Sequence, residues 1–164
     1  MLSFLKPAKP ENEAERQAAV DRYGVVHKRS KIADALVAEA AQLFDAQFGV
    51  ATIIDHERQV VTARYRSDMI EAERAISFCG HTILNPKNVM VIFNAHIDRR
   101  FAGNPLVRGE PHIAFYVGAP LIAPCGQVLG ALCAIDNLPR AQLLSGARTE
   151  LQRLAARVTE ELLA

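Results

Sequence analysis

The sequence has no tryptophan, only three cysteines and no block of residues that carry charge of one sign. Its formal net charge is +1, so it lacks the basic patch of a nucleic-acid binder and no nucleic-acid partner is expected. The cysteines are odd in number and show no CxxC spacing, which argues against a disulfide framework and indicates free thiols in a reducing cytosol. No apolar run is long enough to span a bilayer. We therefore expect a cytoplasmic protein without a membrane span.

The sequence does contain enough apolar residues for a hydrophobic core. Half of its 164 residues are hydrophobic, which argues against disorder, and the length suits one domain. Pro7 and Pro10 lie in a lead-in before the first helical pattern. We therefore predict a flexible lead-in over residues 1–12 and a single domain over residues 13–164.

Apolar residues at helical spacing predict three longer helices: one ending near Gly24, one from Ser30 to Gly49, and one capped by Ser145. Runs rich in β-branched residues predict strands that are separated by short turns or by longer connections. These runs are VATIID, QVVTARY, NVMVIF, HIAFYVGAPLIA and QVLGALCAID. The connection over residues 66–75 is polar, and we predict no strand there.

The order of these elements predicts an α+β domain with a central antiparallel sheet of five to six strands. In QVLGALCAID both alternating sets of residues are nearly all apolar, so this strand is expected in the middle of the sheet. The helices near the two termini would cover one face, and a short helix with the loop NAHIDRRFAGNPLVRGEP would cover the other. A loop of 18 residues in so small a domain is usually functional, and it leaves room for a pocket.

The stretch SFCGHTIL places Cys79 and His81 two residues apart, which raises the question of a catalytic pair. Ser77 is a good helix N-cap and the apolar spacing is helical, so the two side chains should point about 200° apart around the axis. Cys79 near a helix N-terminus is a candidate reactive thiol, whereas Cys133 is typical of a small buried hydrophobe. We predict that Cys79 is not a catalytic nucleophile and assign no residue a catalytic role.

The sequence predicts no metal site either. A zinc site needs three or four ligands, and the remaining candidates have no paired spacing: His96, His112, Cys125 and Cys133. His81 fits either a hydrogen-bonded interior histidine or a ligand contact.

The long loop, over Arg99–Pro111, is expected to cover a pocket lined by Phe78, His81, Phe101 and Tyr116. The full candidate set for ligand binding is Phe78, Cys79, His81, Asp98, Arg100, Phe101, Asn104, Tyr116, Gly118 and Asp136. Arg100, with His81 and Arg74, could bind an anionic group, and Gly118 permits close approach to the backbone. A structural interpretation fits the polar members equally well: Asp98 and Asn104 as turn residues, and Asp136 with Arg140 as an ion pair.

Three blocks make the chain recognisable: ISFCGHTIL, IDRRFAGNPLVRGEPHIAFYVGAPL and GQVLGALCAIDNLPR. Together with DRYG near residue 21 and VATIIDHERQ at residues 50–59, they closely resemble the sequence blocks of bacterial sensor-type GAF domains. The resemblance covers about residues 16–164, in order and at the expected spacings. It implies the GAF fold, related to the PAS fold, with helices from both termini on one face of an antiparallel sheet and a ligand pocket under loops on the other.

GAF domains are small-molecule sensory modules, often fused to signalling enzymes or transcription regulators. The resemblance therefore implies a regulatory domain in signal transduction that binds an unidentified small-molecule effector and has no catalytic activity of its own. It assigns no particular cofactor. A chain of 164 residues has no room for such an output domain, so we expect action in trans on a signalling partner or as a homodimer.

Three other functions are found among GAF domains or compatible with the fold. One branch reduces free methionine sulfoxide with cysteines, but its aromatic-rich N-terminal signature is absent here. Bilin-binding photoreceptors place a histidine directly after the chromophore cysteine, whereas Gly80 intervenes here. A GAF dimerisation module with no ligand is the third alternative, and the sequence does not separate it from a sensor.

The last predicted helix carries an apolar stripe at spacings close to a coiled-coil seam, made by Leu151, Leu154, Val158 and Leu162. Packing on the sheet inside one chain is the usual explanation for such a stripe. The N-terminal helix offers a second apolar set, Ala14, Ala18 and Val25. Part of the same sheet face could already be covered by Ile32, Leu36 and Leu43, so the apolar helix surface could exceed what one sheet face buries. This surplus favours a homodimer through the terminal helices, in which charged residues in place of Leu154 and Val158 should yield a folded monomer.

Overall fold

Six strands form one antiparallel sheet in the computed structural model, which describes residues 2–164. The strands are β1 (Phe48–Asp55), β2 (Arg58–Tyr65), β3 (Glu71–Glu73), β4 (Met90–Ile92), β5 (Phe115–Ile122) and β6 (Val128–Asp136). Their order across the sheet is β3-β2-β1-β6-β5-β4. The α+β class and the central antiparallel sheet predicted from the sequence are confirmed.

Strand β6 lies between β1 and β5, and all nine of its residues are buried. Val50 of β1 and Gly118 of β5 both pair with Cys133 of β6. Because directly paired residues of antiparallel strands share a face, these three positions lie side by side on the same face of the sheet. The prediction that this strand is central and buried on both faces is confirmed.

The structure corrects the prediction for residues 66–75, where β3 forms a short edge strand. It pairs with β2 through Glu73 opposite Arg58 and Glu71 opposite Val60. Two of its three residues are glutamates, and three residues are too few to show an alternating pattern. Charged side chains suit an edge strand because they oppose pairing with a second chain.

Three helices cover one face of the sheet: α1 (Glu13–Tyr23), α2 (Lys31–Leu43) and α5 (Ala147–Leu163). Helix α1 ends at Gly24, which has a left-handed φ of 60°, and Ser30 caps α2 by accepting a hydrogen bond from the Ala33 N–H at 3.1 Å. The predicted cap at Ser145 is wrong, because Gly146 occupies the N-cap position of α5 and no side chain caps that helix.

The apolar stripe of α5 packs inside the chain. Leu151, Leu154, Val158 and Leu162 are all buried in the cluster that α5 forms with α2 and the sheet. The interpretation of this stripe as a dimer seam is therefore wrong, because the chain itself already covers it. A homodimer through the terminal helices stays a prediction, and it would have to use exposed side chains such as Ile32 and Ala18.

Two short helices and the long loop cover the opposite face: α3 (Phe78–Thr82) and α4 (Pro105–Arg108). Ser77 caps α3 by accepting a hydrogen bond from the Gly80 N–H at 2.8 Å, as predicted. Asn104 caps α4 by accepting one from the Leu106 N–H, also at 2.8 Å. The buried residues of this layer form a second hydrophobic cluster, separate from that under α5.

The N-terminal segment lies across this second layer. The Leu5 N–H donates to the Arg100 carbonyl at 2.8 Å, and the Gly103 N–H donates to the Ser3 carbonyl at 3.0 Å. Pro7 contacts α3 so closely that a Cβ atom at Gly80 would lie 2.9 Å from its ring. The segment that was expected to be flexible therefore makes backbone hydrogen bonds with the long loop. Met1, the first residue of the predicted lead-in, lies outside the described residues.

Within residues 2–164, we find no helix with the length and apolar character needed to cross a bilayer.

Candidate ligand-binding site

A cavity of about 710 Å³ opens on the face of the sheet that carries α3. Its floor is apolar and its rim is polar. The floor residues are Phe48, Val50, Met69 and Ile135, and the rim residues are Arg66, Ser67, Asp68, Glu110 and Pro111. We call this space the outer cavity. Its volume falls within the range of about 300–1,000 Å³ that is typical of small-molecule sites.

A much smaller space adjoins the outer cavity on the inner side. It measures about 10 Å³ and shares Val50, Met69 and Ile135 with the outer cavity. Its remaining walls include four side chains with polar or sulfur atoms: Gln59, Cys79, Tyr116 and Cys133. Such a volume holds about one water molecule, so of these two adjoining spaces it is the outer cavity that has room for an organic ligand.

Two thiols and a phenol of this wall meet an aliphatic hydroxyl that lies just behind it. The Tyr116 hydroxyl lies 2.7 Å from Thr82 Oγ1 and donates to Cys79 Sγ at 3.3 Å. Cys79 Sγ lies 3.9 Å from Cys133 Sγ. We call these four residues the buried thiol cluster, since all are buried. Three separate elements build it: α3 with Cys79 and Thr82, β5 with Tyr116, and β6 with Cys133.

The surroundings of the buried thiol cluster shift the pKa values of its members in different directions. Burial, with the two neighbouring thiols, raises the pKa of Tyr116 well above its usual value, and burial likewise raises the pKa of Cys133. The hydrogen bond with Cys133, helped by Thr52 and Tyr116, lowers the pKa of Cys79 although burial opposes this change. Of the two thiols, Cys79 is the one that accepts the hydrogen bond from the Tyr116 hydroxyl, and this contact favours the charged form of its sulfur.

The aromatic residues predicted to line a pocket do come together, but no space is left among them. The Phe78 and Phe101 rings stack at 4.2 Å between centroids, and Tyr116 lies 5.2 Å from Phe78. His81 packs edge-on against Phe101 at 5.0 Å, and its Nε2 lies 3.1 Å from the Leu5 carbonyl oxygen. The expectation of an open pocket between these four side chains is corrected, because their rings fill it.

Gly118 also has a different role from the one predicted. A Cβ atom there would lie 2.3 Å from the Tyr116 hydroxyl oxygen. Its missing side chain thus makes room for the phenol of the same strand, and Gly118 lines neither the outer cavity nor the smaller space beside it.

The predicted anion-binding group does not assemble. Asp98 and Arg100 pair with each other at 2.8 Å on the surface, away from the outer cavity. Arg74 is buried and pairs with Glu13 of α1 at 2.7 Å, so its charge is already neutralised. His81 and Arg100 do line one separate cavity of about 390 Å³, but Arg74 takes no part in it, and His81 Nε2 lies 3.1 Å from the Leu5 carbonyl oxygen.

The two remaining polar candidates, Asn104 and Asp136, have structural partners. Besides capping α4, Asn104 donates through Nδ2 to the Ile76 carbonyl at 3.0 Å and so ties the long loop to the start of α3. Asp136 is buried and accepts a hydrogen bond from Arg140 at 2.6 Å, four residues on. Asn104 thus acts as a turn and capping residue and Asp136 as the partner of an ion pair, as the structural interpretation of the sequence proposed.

Among residues 2–164, one group of three side chains has its potential ligand atoms within 4.8 Å of one another: Asp21, Asp55 and His56. Gln17 donates to Asp21 at 3.0 Å and to Asp55 at 2.7 Å, which accounts for the approach of these carboxylates without an ion. The group lies outside the outer cavity.

The family model described as GAF domain matches residues 28–162. The chain belongs to the GAF domain family. The resemblance read from the sequence blocks is therefore confirmed at the level of the family.

A protein of Pseudomonas aeruginosa named cyclic di-GMP phosphodiesterase PA2567 is 40% identical to this GAF domain over 138 residues. The match covers 84% of this chain and 23% of that relative. The chain thus spans about a quarter of the length of the curated relative that it matches.

Solved structures share the GAF fold at low sequence identity. The GAF domain of an Acinetobacter phosphoenolpyruvate-protein phosphotransferase has a TM-score of 0.63 at 16% identity and covers 93% of each chain. A type II free methionine-R-sulfoxide reductase from Thermoplasma acidophilum has a TM-score of 0.62 at 11% identity, covering 79% of this chain and 88% of that one. The chromophore-binding domain of Stigmatella aurantiaca phytochrome P1 has a TM-score of 0.62 at 14% identity, covering 92% and 60%. At these identities the likeness concerns the fold alone.

The residues of the outer cavity were not found from the sequence of this GAF domain. Val50 and Ile135 belong to predicted strands with an ordinary core pattern, whereas Phe48 was placed in the helix predicted from Ser30 to Gly49 and in fact begins β1. One sequence feature could have indicated this cavity: Met69 and Ile70 are two large apolar residues in a mostly polar connection. Cys133 was missed as a partner of Cys79 because their contact depends on how α3 packs on the central strand.

Proposed function

We propose that this GAF domain is a sensory module that binds a small organic molecule in the outer cavity and has no catalytic activity of its own. The observation that carries this proposal is the outer cavity, with its apolar floor, polar rim and volume of about 710 Å³. Membership of the GAF family supports a place in signal transduction.

The lining of the outer cavity favours a ligand with an apolar body and a polar end. Phe48 and Met69 offer an aromatic ring and an adaptable thioether to a ring or chain. The rim has one cation, Arg66, and two carboxylates, Asp68 and Glu110. Because the carboxylates outnumber the cation, a polar end with hydrogen-bond donors fits this rim better than an anionic one.

The same proposal includes a signalling partner and a cellular setting. The named activity of the Pseudomonas relative is cyclic di-GMP hydrolysis, and this chain corresponds to about a quarter of that protein. A regulatory role toward an enzyme of cyclic di-GMP turnover is the matching proposal for this domain. Its three free cysteines support a cytoplasmic location.

A thiol enzyme is the second candidate, and the contact between Cys79 and Cys133 is the observation that favours it. Both thiols are buried, and the space beside them measures about 10 Å³. A sulfoxide with the bulk of an amino acid does not fit there. Because such a substrate cannot reach the thiols, the structure favours the proposal of a sensory module over that of a reductase of organic sulfoxides.

Native mass spectrometry of the purified protein tests the proposal. We expect wild-type protein to carry a small molecule that is released on denaturation. Ser67→Trp places a large ring at the rim of the outer cavity and should abolish this added mass. Ser145→Trp, at an exposed position outside the cavity, is the matched control and should retain it. Equal occupancy in the two variants, or no bound molecule in any protein, would contradict the proposal.

A further inference from the structure

Cys79 and Cys133 are brought together by the fold from positions 54 residues apart in the chain. Their sulfurs lie 3.9 Å apart, whereas a disulfide requires about 2.05 Å, so the two sulfurs must approach by about 2 Å. Cys79 belongs to a helix of five residues, and Cys133 to the centre of the rigid sheet. Rotation of the side chains, with a small shift of α3, is the movement that closing this gap requires.

We propose that Cys79 and Cys133 form a redox-active dithiol, which hydrogen peroxide oxidises to an intramolecular disulfide and a dithiol reductant restores. The inference is independent of ligand binding in the outer cavity. It rests on the sulfur–sulfur contact, on the phenol that donates to Cys79, and on the small space that adjoins both thiols.

Access to the thiols selects the oxidant by size. The inner space lies against both sulfurs and shares Val50, Met69 and Ile135 with the outer cavity. Met69 is only partly buried, and its unbranched side chain is adaptable enough to admit a molecule slightly larger than water. Hydrogen peroxide meets this limit, and bulkier oxidants do not.

The surroundings of Cys79 make it the sulfur that reacts first. Its pKa is lowered by the hydrogen bonds described above, and the Tyr116 hydroxyl stabilises charge on its sulfur at 3.3 Å. Burial holds Cys133 protonated, which suits a resolving thiol that reacts second.

The two steps balance in atoms and electrons. The Cys79 sulfur attacks one peroxide oxygen, the O–O bond breaks, and the Cys79 thiol proton leaves with the departing oxygen as water. The Cys133 sulfur then attacks the resulting sulfenic acid, the S–O bond breaks, and the Cys133 thiol proton leaves with the hydroxyl as a second water. Two thiols are oxidised and one peroxide is reduced to two water molecules.

The test uses the Cys125→Ser variant, because Cys125 is exposed and would otherwise form disulfides between molecules. Cys125 and Cys133 also lie in one tryptic peptide, residues 109–140, so the substitution removes an ambiguity in peptide mapping. Folded Cys125→Ser protein is treated with hydrogen peroxide, blocked with an alkylating reagent and analysed by mass spectrometry without reduction. We expect an intact mass lower by two hydrogen atoms and a cross-link between peptides 75–87 and 109–140.

The controls are Cys79→Ser and Cys133→Ala, each combined with Cys125→Ser, which should show no loss of two hydrogens. A dithiol reductant should return the oxidised Cys125→Ser protein to its starting mass. The proposal is overturned if the folded Cys125→Ser protein keeps both thiols alkylatable after peroxide treatment. It is equally overturned if Cys79 gains oxygen atoms without forming the cross-link.

Discussion

A Cβ atom built on Gly118 would lie 2.3 Å from the hydroxyl oxygen of Tyr116 and 2.7 Å from its Cζ atom. The phenol therefore lies over the residue two positions further along its own strand. From there its hydroxyl reaches Thr82 and Cys79. A side chain at position 118 would displace the group that joins the sheet to α3.

Gly118→Ala should therefore destabilise the protein. Overpacking of a buried site costs about 1–3 kcal/mol, and Tyr116 cannot move aside without losing its contact with Thr82. Urea unfolding measures the loss. Gly109→Ala is the control, since a Cβ atom there meets only the Pro105 carbonyl at 3.2 Å. Equal losses in the two variants would show that the close approach at Gly118 is unimportant.

Glu13 forms ion pairs with two buried arginines, and its replacement by a neutral residue should lower the free energy of unfolding. It accepts hydrogen bonds from Arg16 Nε at 2.7 Å and from Arg74 at 2.7 Å, and both arginines are almost fully buried. Glu13→Gln leaves two buried cations without their counter-charge, which should cost about 3 kcal/mol in the free energy of unfolding. Glu15→Gln, at an exposed position of the same helix, should change stability little. Similar values for the two variants would contradict the importance of this ion network.

Leu154→Ala should unfold the domain more easily instead of changing its oligomeric state. Leu154 is fully buried between α5 and the rest of the core, and such truncations cost about 2–5 kcal/mol. Ile97→Ala removes a largely exposed side chain outside the terminal helices and serves as the control, with an expected change below about 0.5 kcal/mol. Chemical unfolding with analytical ultracentrifugation checks both variants. A folded Leu154→Ala monomer of unchanged stability, from a dimeric wild type, would restore the dimer-seam interpretation.

The stability of the domain should depend on the protonation of His81. Burial, together with Arg100, lowers the pKa of His81 below its ordinary value, against the hydrogen bond with Leu5. The unfolded chain therefore binds this proton first, so the contribution of His81 is complete above about pH 6.5 and is lost as pH falls below that value. The free energy of unfolding should therefore fall as the pH is lowered through about 6.5, the ordinary pKa of histidine. His81→Gln should reduce this drop, whereas the exposed-site control His112→Gln should retain it. An unchanged drop in His81→Gln would assign the effect to other groups.

The sheet could be predicted because its long strands carry strong local patterns. The apolar run of β6 indicated a strand buried on both faces, and Ser77 indicated the start of α3. Strand β3 lacks such a pattern, since pairing with β2 alone defines it. Arg16 and Gln17 look like surface residues in the sequence, yet the fold buries them against Glu13, Asp55 and the first residue of β6. Burial of a charged residue depends on partners that local patterns do not show.

The candidate site was predicted less well because it depends on contacts between distant elements. Phe78, Phe101 and Tyr116 were correctly placed together, but only packing decides whether aromatic rings line a cavity or fill it. The outer cavity lies between residues 66–69, in the connection after β2, and the end of the long loop at Glu110 and Pro111. No local signal relates these segments, which are about 40 residues apart in the sequence.

The central claim is that a small molecule binds in the outer cavity, and methyl NMR tests it most directly. Protein with carbon-13-labelled methionine, isoleucine and leucine methyl groups is mixed with the small-metabolite extract of the cells that express it. We predict that the methyl signals of Met69 and Ile135 shift, because both residues form the floor of the cavity. The signals of Ile97 and Leu144, which are exposed outside the outer cavity, should stay in place. Unchanged signals for Met69 and Ile135, or shifts confined to Ile97 and Leu144, would contradict the account.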